Sequence, residues 1–156
     1  MIRIEIPGAG FLEIEYFVTD FSGTLSEGGA LLPGIKDKLN ELSEKIQIHV
    51  LTSDTFGRAA RELEGVNCAL HILDGEGHVT QKEQYVLDLG ADKVVALGNG
   101  NNDALMLKAA QIGIAVCLKE GCSNKALEAA QIFVTSPLDA VDLLLFPKRL
   151  IATLRV

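Results

Sequence analysis

The chain has 156 residues, 48% of them hydrophobic, and a formal net charge of −7. That length is enough for one domain with a core that needs no disulfide or metal staple. The acidic balance disfavours nucleic acid and anionic membranes as partners, because both demand a clustered basic surface. Lys148, Arg149 and Arg155 form the one basic run, and they sit in an apolar helical pattern that reads as a solvated face. No targeting segment and no apolar run of about 18 residues is visible, so a cytoplasmic location is expected. Cys68, Cys117 and Cys122 lack Cys-x-x-Cys spacing, which argues against a disulfide framework or a zinc knuckle.

Residues 2–6 and 11–16 alternate around Pro7-Gly8-Ala9-Gly10, predicting a β-hairpin whose second arm runs on into an apolar strand at 17–20. Residues 33–45 place Ile35, Leu39 and Leu42 at helical spacing behind Pro33, and 46–52 read as a strand. A helix from Phe56 to Leu63, a strand at 68–73, a helix at 79–89 and a strand at 93–97 follow. A helix at 103–111, a strand at 114–118, a helix at 123–130, a strand at 132–135 and a helix at 138–146 complete the alternation. Cys68 and Cys117 are expected as buried strand residues, His49 and His71 as strand residues, and Glu13 and Glu15 on the outer face of the hairpin. Strands separated by single helices imply right-handed βαβ units. The predicted class is therefore α/β, a doubly wound Rossmann-like parallel sheet with an N-terminal β-hairpin, in one domain over 1–156.

Three polar clusters fall at strand ends, where open α/β sheets keep their ligands. Asp20 closes the strand of YFVTDFSGTL and is followed by a Gly-Thr turn, so its carboxylate either caps that turn or is free to attack phosphorus. Thr52, Ser53 and Asp54 close the next strand, where a hydroxyl can donate to a phosphoryl oxygen or cap the following helix. GNGNND at 98–103 opens a helix with oxygen-bearing side chains of the kind that suits magnesium, or simply forms an Asn-rich loop with Asp103 complementing the helix dipole. Lys82 lies in a helix between them and is either solvated or a cation that offsets their charge. His49, His71 and His78 have no metal-ligand spacing. No G-x-G-x-x-G follows the first strand, which argues against a dinucleotide-binding Rossmann domain.

Together these residues resemble the haloacid dehalogenase (HAD) superfamily, which pairs a strand-end D-x-D-G-T with a strand-end Thr or Ser, a helical Lys and a G-D-G-x-N-D loop. Order and spacing match across nearly the whole chain. The resemblance implies Asp20 as nucleophile, Thr52 as hydrogen-bond donor to the phosphoryl group and Lys82 as the charge-balancing cation. It further implies a phosphate site of Thr52, Ser53, Lys82 and Asn102, and a Mg²⁺ site of Asp20, Ser22 through its backbone carbonyl, Asn99 and Asp103. DFSGT, TSD and GNGNND are worded most like the phosphorylation domain of P-type ATPases, where the counterparts read D-K-T-G-T, T-G-D and G-D-G-x-N-D.

Two positions depart from the hydrolytic pattern. Ser22 stands where the family's acid/base Asp is expected, and a hydroxyl serves that role poorly near neutral pH. Asn99 puts a neutral amide where a carboxylate helps hold the metal. One helix and one strand fill each interval between Asp20, Thr52 and Lys82, leaving no room for a cap insertion. Capless members cover their site by self-association or act on large substrates, so a homo-oligomer, dimer or tetramer, is expected, with a phosphorylated small molecule or protein as partner. The expected function is a Mg²⁺-dependent phosphohydrolase or phosphotransferase with an aspartyl phosphate on Asp20, weak or narrow as a phosphatase. The alternative is a catalytically degraded phosphate- or metal-binding regulatory or scaffold protein.

Overall fold

The computed structural model describes residues 1–54 and 57–156. Its centre is a six-stranded sheet formed by β3 (Tyr16–Asp20), β6 (Gln47–Thr52), β7 (Ala69–Ile72), β8 (Val94–Gly98), β9 (Ile112–Val116) and β10 (Ile132–Val134). The spatial order is β10-β9-β8-β3-β6-β7, with every neighbouring pair parallel. From β3 the chain winds outward to β6 and β7, then crosses back to β8 on the other side of β3. The crevice above the carboxyl ends of β3 and β8 is thus the topological switch point, where such sheets bind ligands. This is the predicted α/β, doubly wound Rossmann-like architecture.

Helices cover both faces, and strand alternation decides which side chains meet which layer. Phe17, Val95 and Leu97 share one core with Leu39 of α1 (Ile35–Ser43), Ala59 of α2 (Arg58–Glu62) and Val141 of α6 (Pro137–Leu145). Val18, Val94 and Ala96 face a second core with Val86 of α3 (His78–Leu89), Met106 of α4 (Ala104–Ala109) and Ala126 of α5 (Asn124–Ala129). No helix of the described residues is long and apolar enough to cross a membrane.

The N-terminal hairpin is present as β1 (Ile2–Ile6) and β2 (Gly10–Ile14), paired antiparallel. Its second arm does not run straight into β3. Glu15 interrupts it by donating its amide to Lys93 and accepting from Gln47, both at 3.0 Å, which hands the chain from one sheet to the other. Glu15 is half-buried and paired with Lys93 at 2.9 Å, whereas Glu13 lies on the outer face with Arg3. The hairpin's Ile2, Ile4 and Ile6 pack in the same core as Leu150 of α7 (Pro147–Leu154), the C-terminal helix whose Lys148 and Arg149 face solvent.

Other departures are local. A short antiparallel pair, β4 (Ser26–Glu27) and β5 (Ala30–Leu31), follows the Asp20 turn and was absent from the sequence reading. β9 begins two residues earlier than expected because Ile112 and Gly113 already pair with β8. Cys68 and Cys117 are not buried strand residues: each lies just outside its strand and is half-buried, Cys117 because β10 ends at Val134, to whose carbonyl its amide bonds at 3.2 Å. The expected start of a helix at Phe56 lies outside the described residues; α2 is described from Arg58.

The last sheet-covering helix is set by its cap, Ser136, whose Oγ accepts from the Leu138 amide at 3.2 Å ahead of Pro137 in the first turn. Ser136→Ala should cost about 1 kcal/mol of stability, read from the shift of the urea midpoint at constant m-value.

Candidate active site

Asp20 is the last residue of β3 and Asn99 follows the end of β8, so the two flank the switch point. Beyond Asp20 the backbone folds on itself. The Phe21 carbonyl accepts the amides of Thr24, Leu25 and Ser26, and Gly23 takes φ 72°, a left-handed conformation that favours glycine. The turn brings the Thr24 hydroxyl back between Asp20 Oδ2, at 3.3 Å, and Asn99 Oδ1, at 3.2 Å. Sequence reasoning noted the Gly-Thr turn but assigned Thr24 no role; its place beside both strand ends follows from the turn geometry alone.

Lys82 enters from the side. It lies on α3 one helical turn before buried Val86, which puts both side chains on the face turned to the sheet. Its ammonium donates to Asp20 Oδ1 at 2.9 Å and to Asp103 Oδ1 at 2.7 Å. All three groups are shielded from bulk water, with Asp20 open only to the cleft: Lys82 is 1% exposed, Asp103 0% and Asp20 8%. Lys82 is therefore a buried cation and not a solvated surface lysine.

Asp103 braces the loop after β8. Oδ1 accepts Lys82 and Oδ2 accepts the amides of Asn99 and Gly100 at 2.9 and 3.0 Å, so the carboxylate organises the loop from behind and does not line the cleft. The tuck requires Gly98, because a methyl group there would overlap the Asp103 side chain.

The electrostatics follow from two buried carboxylates sharing one ammonium. Burial and the neighbouring Asp103 push Asp20 up to about 7, against the opposing pull of Lys82 and its hydrogen bond. Burial alone would lower Lys82, but Asp20 and Asp103 outweigh it and hold the ammonium above its ordinary range.

In front of this triad lies a cleft of about 250 Å³. It gathers Asp20, Ser22, Thr52, Ser53, Lys82, Asn99 and Asn102, which is every expected catalytic, phosphate-binding or metal residue except Asp103. Thr52 is buried, and its Oγ accepts from the Asp54 amide at 3.3 Å while Asp54 Oδ2 accepts the Ala59 amide at 2.6 Å, holding the start of α2. Asp54 thus braces the start of α2, while Thr52 lines the cleft. Leu73 forms one wall, and Glu120, which sequence reasoning missed, stands at the rim.

Two consequences are measurable. Because the folded-state pKa of Asp20 lies above the unfolded value of 3.8, the folded chain binds the proton more tightly, and Asp20's contribution to stability is fully present below 3.8 and lost as pH rises to about 7. Asp20→Asn should therefore gain stability over the parent progressively between those values, with a level difference above pH 7, in thermal melts across the range. Lys82→Met leaves two buried carboxylates without their cation and should cost about 3–5 kcal/mol at neutral pH by chemical denaturation.

No family model matches the chain. The uncharacterized protein MJ0073 of Methanocaldococcus jannaschii is 49% identical over 63 residues, which cover 40% of this chain and 68% of that protein. Among solved structures, 3-deoxy-D-manno-octulosonate 8-phosphate phosphatase from Moraxella catarrhalis, in complex with magnesium, phosphate and KDO, superposes with a TM-score of 0.71 at 18% identity, covering 91% of this chain and 94% of that one. A HAD superfamily (subfamily III A) hydrolase structure from Legionella pneumophila superposes with a TM-score of 0.65 at 16% identity, covering 90% and 86%. At these identities the structural likeness speaks for the fold. The chain belongs to the same family as MJ0073 and is built on the fold of the HAD superfamily hydrolases.

Proposed function

We propose that the protein is a Mg²⁺-dependent phosphohydrolase or phosphotransferase that works through an aspartyl phosphate on Asp20, with weak or narrow phosphatase activity. The observation that carries this reading is Asp20 itself: a nearly buried carboxylate at the switch point, clasped by Lys82, opening onto a cleft of hydroxyl and amide donors. A structural neighbour that is a phosphate-monoester phosphatase, solved with magnesium and phosphate, supports the same chemistry.

In the proposed reaction an Asp20 oxygen bonds to phosphorus as the bond to the leaving oxygen breaks, and the leaving oxygen keeps the electron pair. Water then bonds to phosphorus as the bond to Asp20 breaks, which restores the carboxylate and releases phosphate carrying the water's protons, one of which passes to solvent near neutral pH. Lys82 and the Thr52 hydroxyl are the donors that offset charge on the transferring group, with Ser53 and Asn102 at the cleft mouth.

Among the described residues no three His, Cys, Asp or Glu side chains form a metal cage. Asp20 with the neutral oxygens of Ser22 and Asn99 fits a magnesium ion that keeps several waters and is completed by substrate phosphate. These residues would hold the ion, with Asp103 ordering the loop that carries Asn99. Bound magnesium would supply neutralisation of the phosphoryl charge.

Ser22 sets the substrate preference. Lacking a carboxylate there, the site favours esters or anhydrides whose leaving group departs without a proton, which is also the logic of the P-type-like wording of the pentad. The P-type kinship, a cytoplasmic setting supported by three free cysteines, and self-association supported by the 78% exposed Phe11 on β2 belong to the same proposal. Ser22 and Asn99 also favour a second reading, a phosphate- or metal-binding regulatory protein in which the chemistry has lapsed.

Hydrolysis of p-nitrophenyl phosphate with Mg²⁺ tests the proposal. The parent should turn over, Asp20→Asn should not, and with an alkyl phosphate, whose leaving oxygen needs a proton, Ser22→Asp should raise the rate by about 10²-fold or more. Equal rates for the parent and Asp20→Asn would remove Asp20 as the nucleophile, and no gain in Ser22→Asp would favour the lapsed site.

A further inference from the structure

Glu120 has no part in the reaction as written, yet the turn that carries it is held from two sides. It lies on a tight turn from Leu118 to Gly121, closed by the Gly121 amide donating to the Leu118 carbonyl at 3.0 Å. The turn is fastened on the site side by Asn99, whose Nδ2 donates to the Gly121 carbonyl at 3.2 Å and whose own carbonyl accepts the Ser123 amide at 2.8 Å. On the other side Lys119 pairs with Glu27 of β4 at 3.7 Å.

The Glu120 carboxylate lines the cleft beside Asp20, Ser22 and Asn99. It also lies directly over Gly23: a methyl group added there would overlap both the Glu120 carboxylate and the Asn99 amide. A carboxylate and a neutral amide therefore share the space above the turn that follows Asp20. The amide is required where it stands, because a carboxylate at position 99 would meet the Gly121 carbonyl oxygen without a hydrogen to donate.

We propose that Glu120 is the second anionic ligand of the magnesium ion at Asp20, delivered from the turn after β9 in place of a carboxylate at position 99. The proposal rests on the magnesium site of the reading above. Hard oxygen donors and one or two carboxylates are what such an ion takes from protein, and Glu120 brings the carboxylate count from one to two. Asn99 keeps its oxygen among the proposed ligands and, through its Nδ2, also holds the turn that presents Glu120.

Calorimetric titration of the full chain with MgCl₂, without substrate, tests this. The parent should bind Mg²⁺, and Glu120→Gln should bind it at least about tenfold more weakly, as expected for disturbing a metal's coordination. Glu128→Gln makes the same charge change on α5, away from the cleft, and should bind as the parent does. Thermal melts of the metal-free variants confirm that both fold, as expected for exposed side chains. Equal affinity in parent and Glu120→Gln, or an equal loss in Glu128→Gln, overturns the role of Glu120 while leaving the cleft's Asp20-dependent binding intact. Binding by the parent no tighter than by Asp20→Asn overturns the magnesium site itself, and Glu120's role with it.

Discussion

One ammonium group, Lys82 Nζ, lies between two carboxylates inside the protein, and the site depends on it. At 2.9 Å from Asp20 and 2.7 Å from Asp103 it ties the end of β3 to the loop after β8, the two strands that flank the switch point. With all three groups ionised the triad carries one uncompensated negative charge, largely shielded from water. Burial of that kind disfavours the charged form, which is why Asp20 rises to about 7. A cation near Asp20 removes the conflict. The electrostatic demand and the proposed chemistry therefore point to the same partner.

The departures at Ser22 and Asn99 have different weights once the side chains are placed. Asn99 is built in: its amide donates to Gly121, its backbone amide donates to Asp103 and its side-chain oxygen faces Thr24, so its neutrality serves the packing of two loops. Ser22 has no comparable network; its side chain is exposed at the cleft. On the proposed mechanism, the departure from a hydrolytic site is thus concentrated in acid/base chemistry at position 22. That bears on hydrolysis more than on phosphorylation, because leaving groups that need no proton bypass it.

Much of this was legible in the sequence because strand-end positions are predictable from apolar runs. Once 17–20, 46–52 and 93–97 are read as parallel strands, Asp20, Thr52 and Asn99 are forced to one edge of the sheet. Lys82 was legible only through motif order, since periodicity gives no sign that an ammonium will be buried. Thr24 and Glu120 escaped because a turn's closure, not a period, brings them to the site. β4 and β5 are each two residues long, too short to show alternation. Asp103 was found but its surroundings were not: whether a carboxylate lines a cleft or braces a loop depends on hydrogen bonds that spacing does not encode.

Fluorine resonance of the chain titrated with beryllofluoride and Mg²⁺ tests most directly whether Asp20 receives a phosphoryl group. Beryllofluoride bound to a carboxylate oxygen stands in for the aspartyl phosphate. A set of bound fluorine signals in the parent that is lost in Asp20→Asn is expected. Signals of equal intensity in both proteins, or none in the parent at saturating magnesium, would contradict Asp20 as the nucleophile.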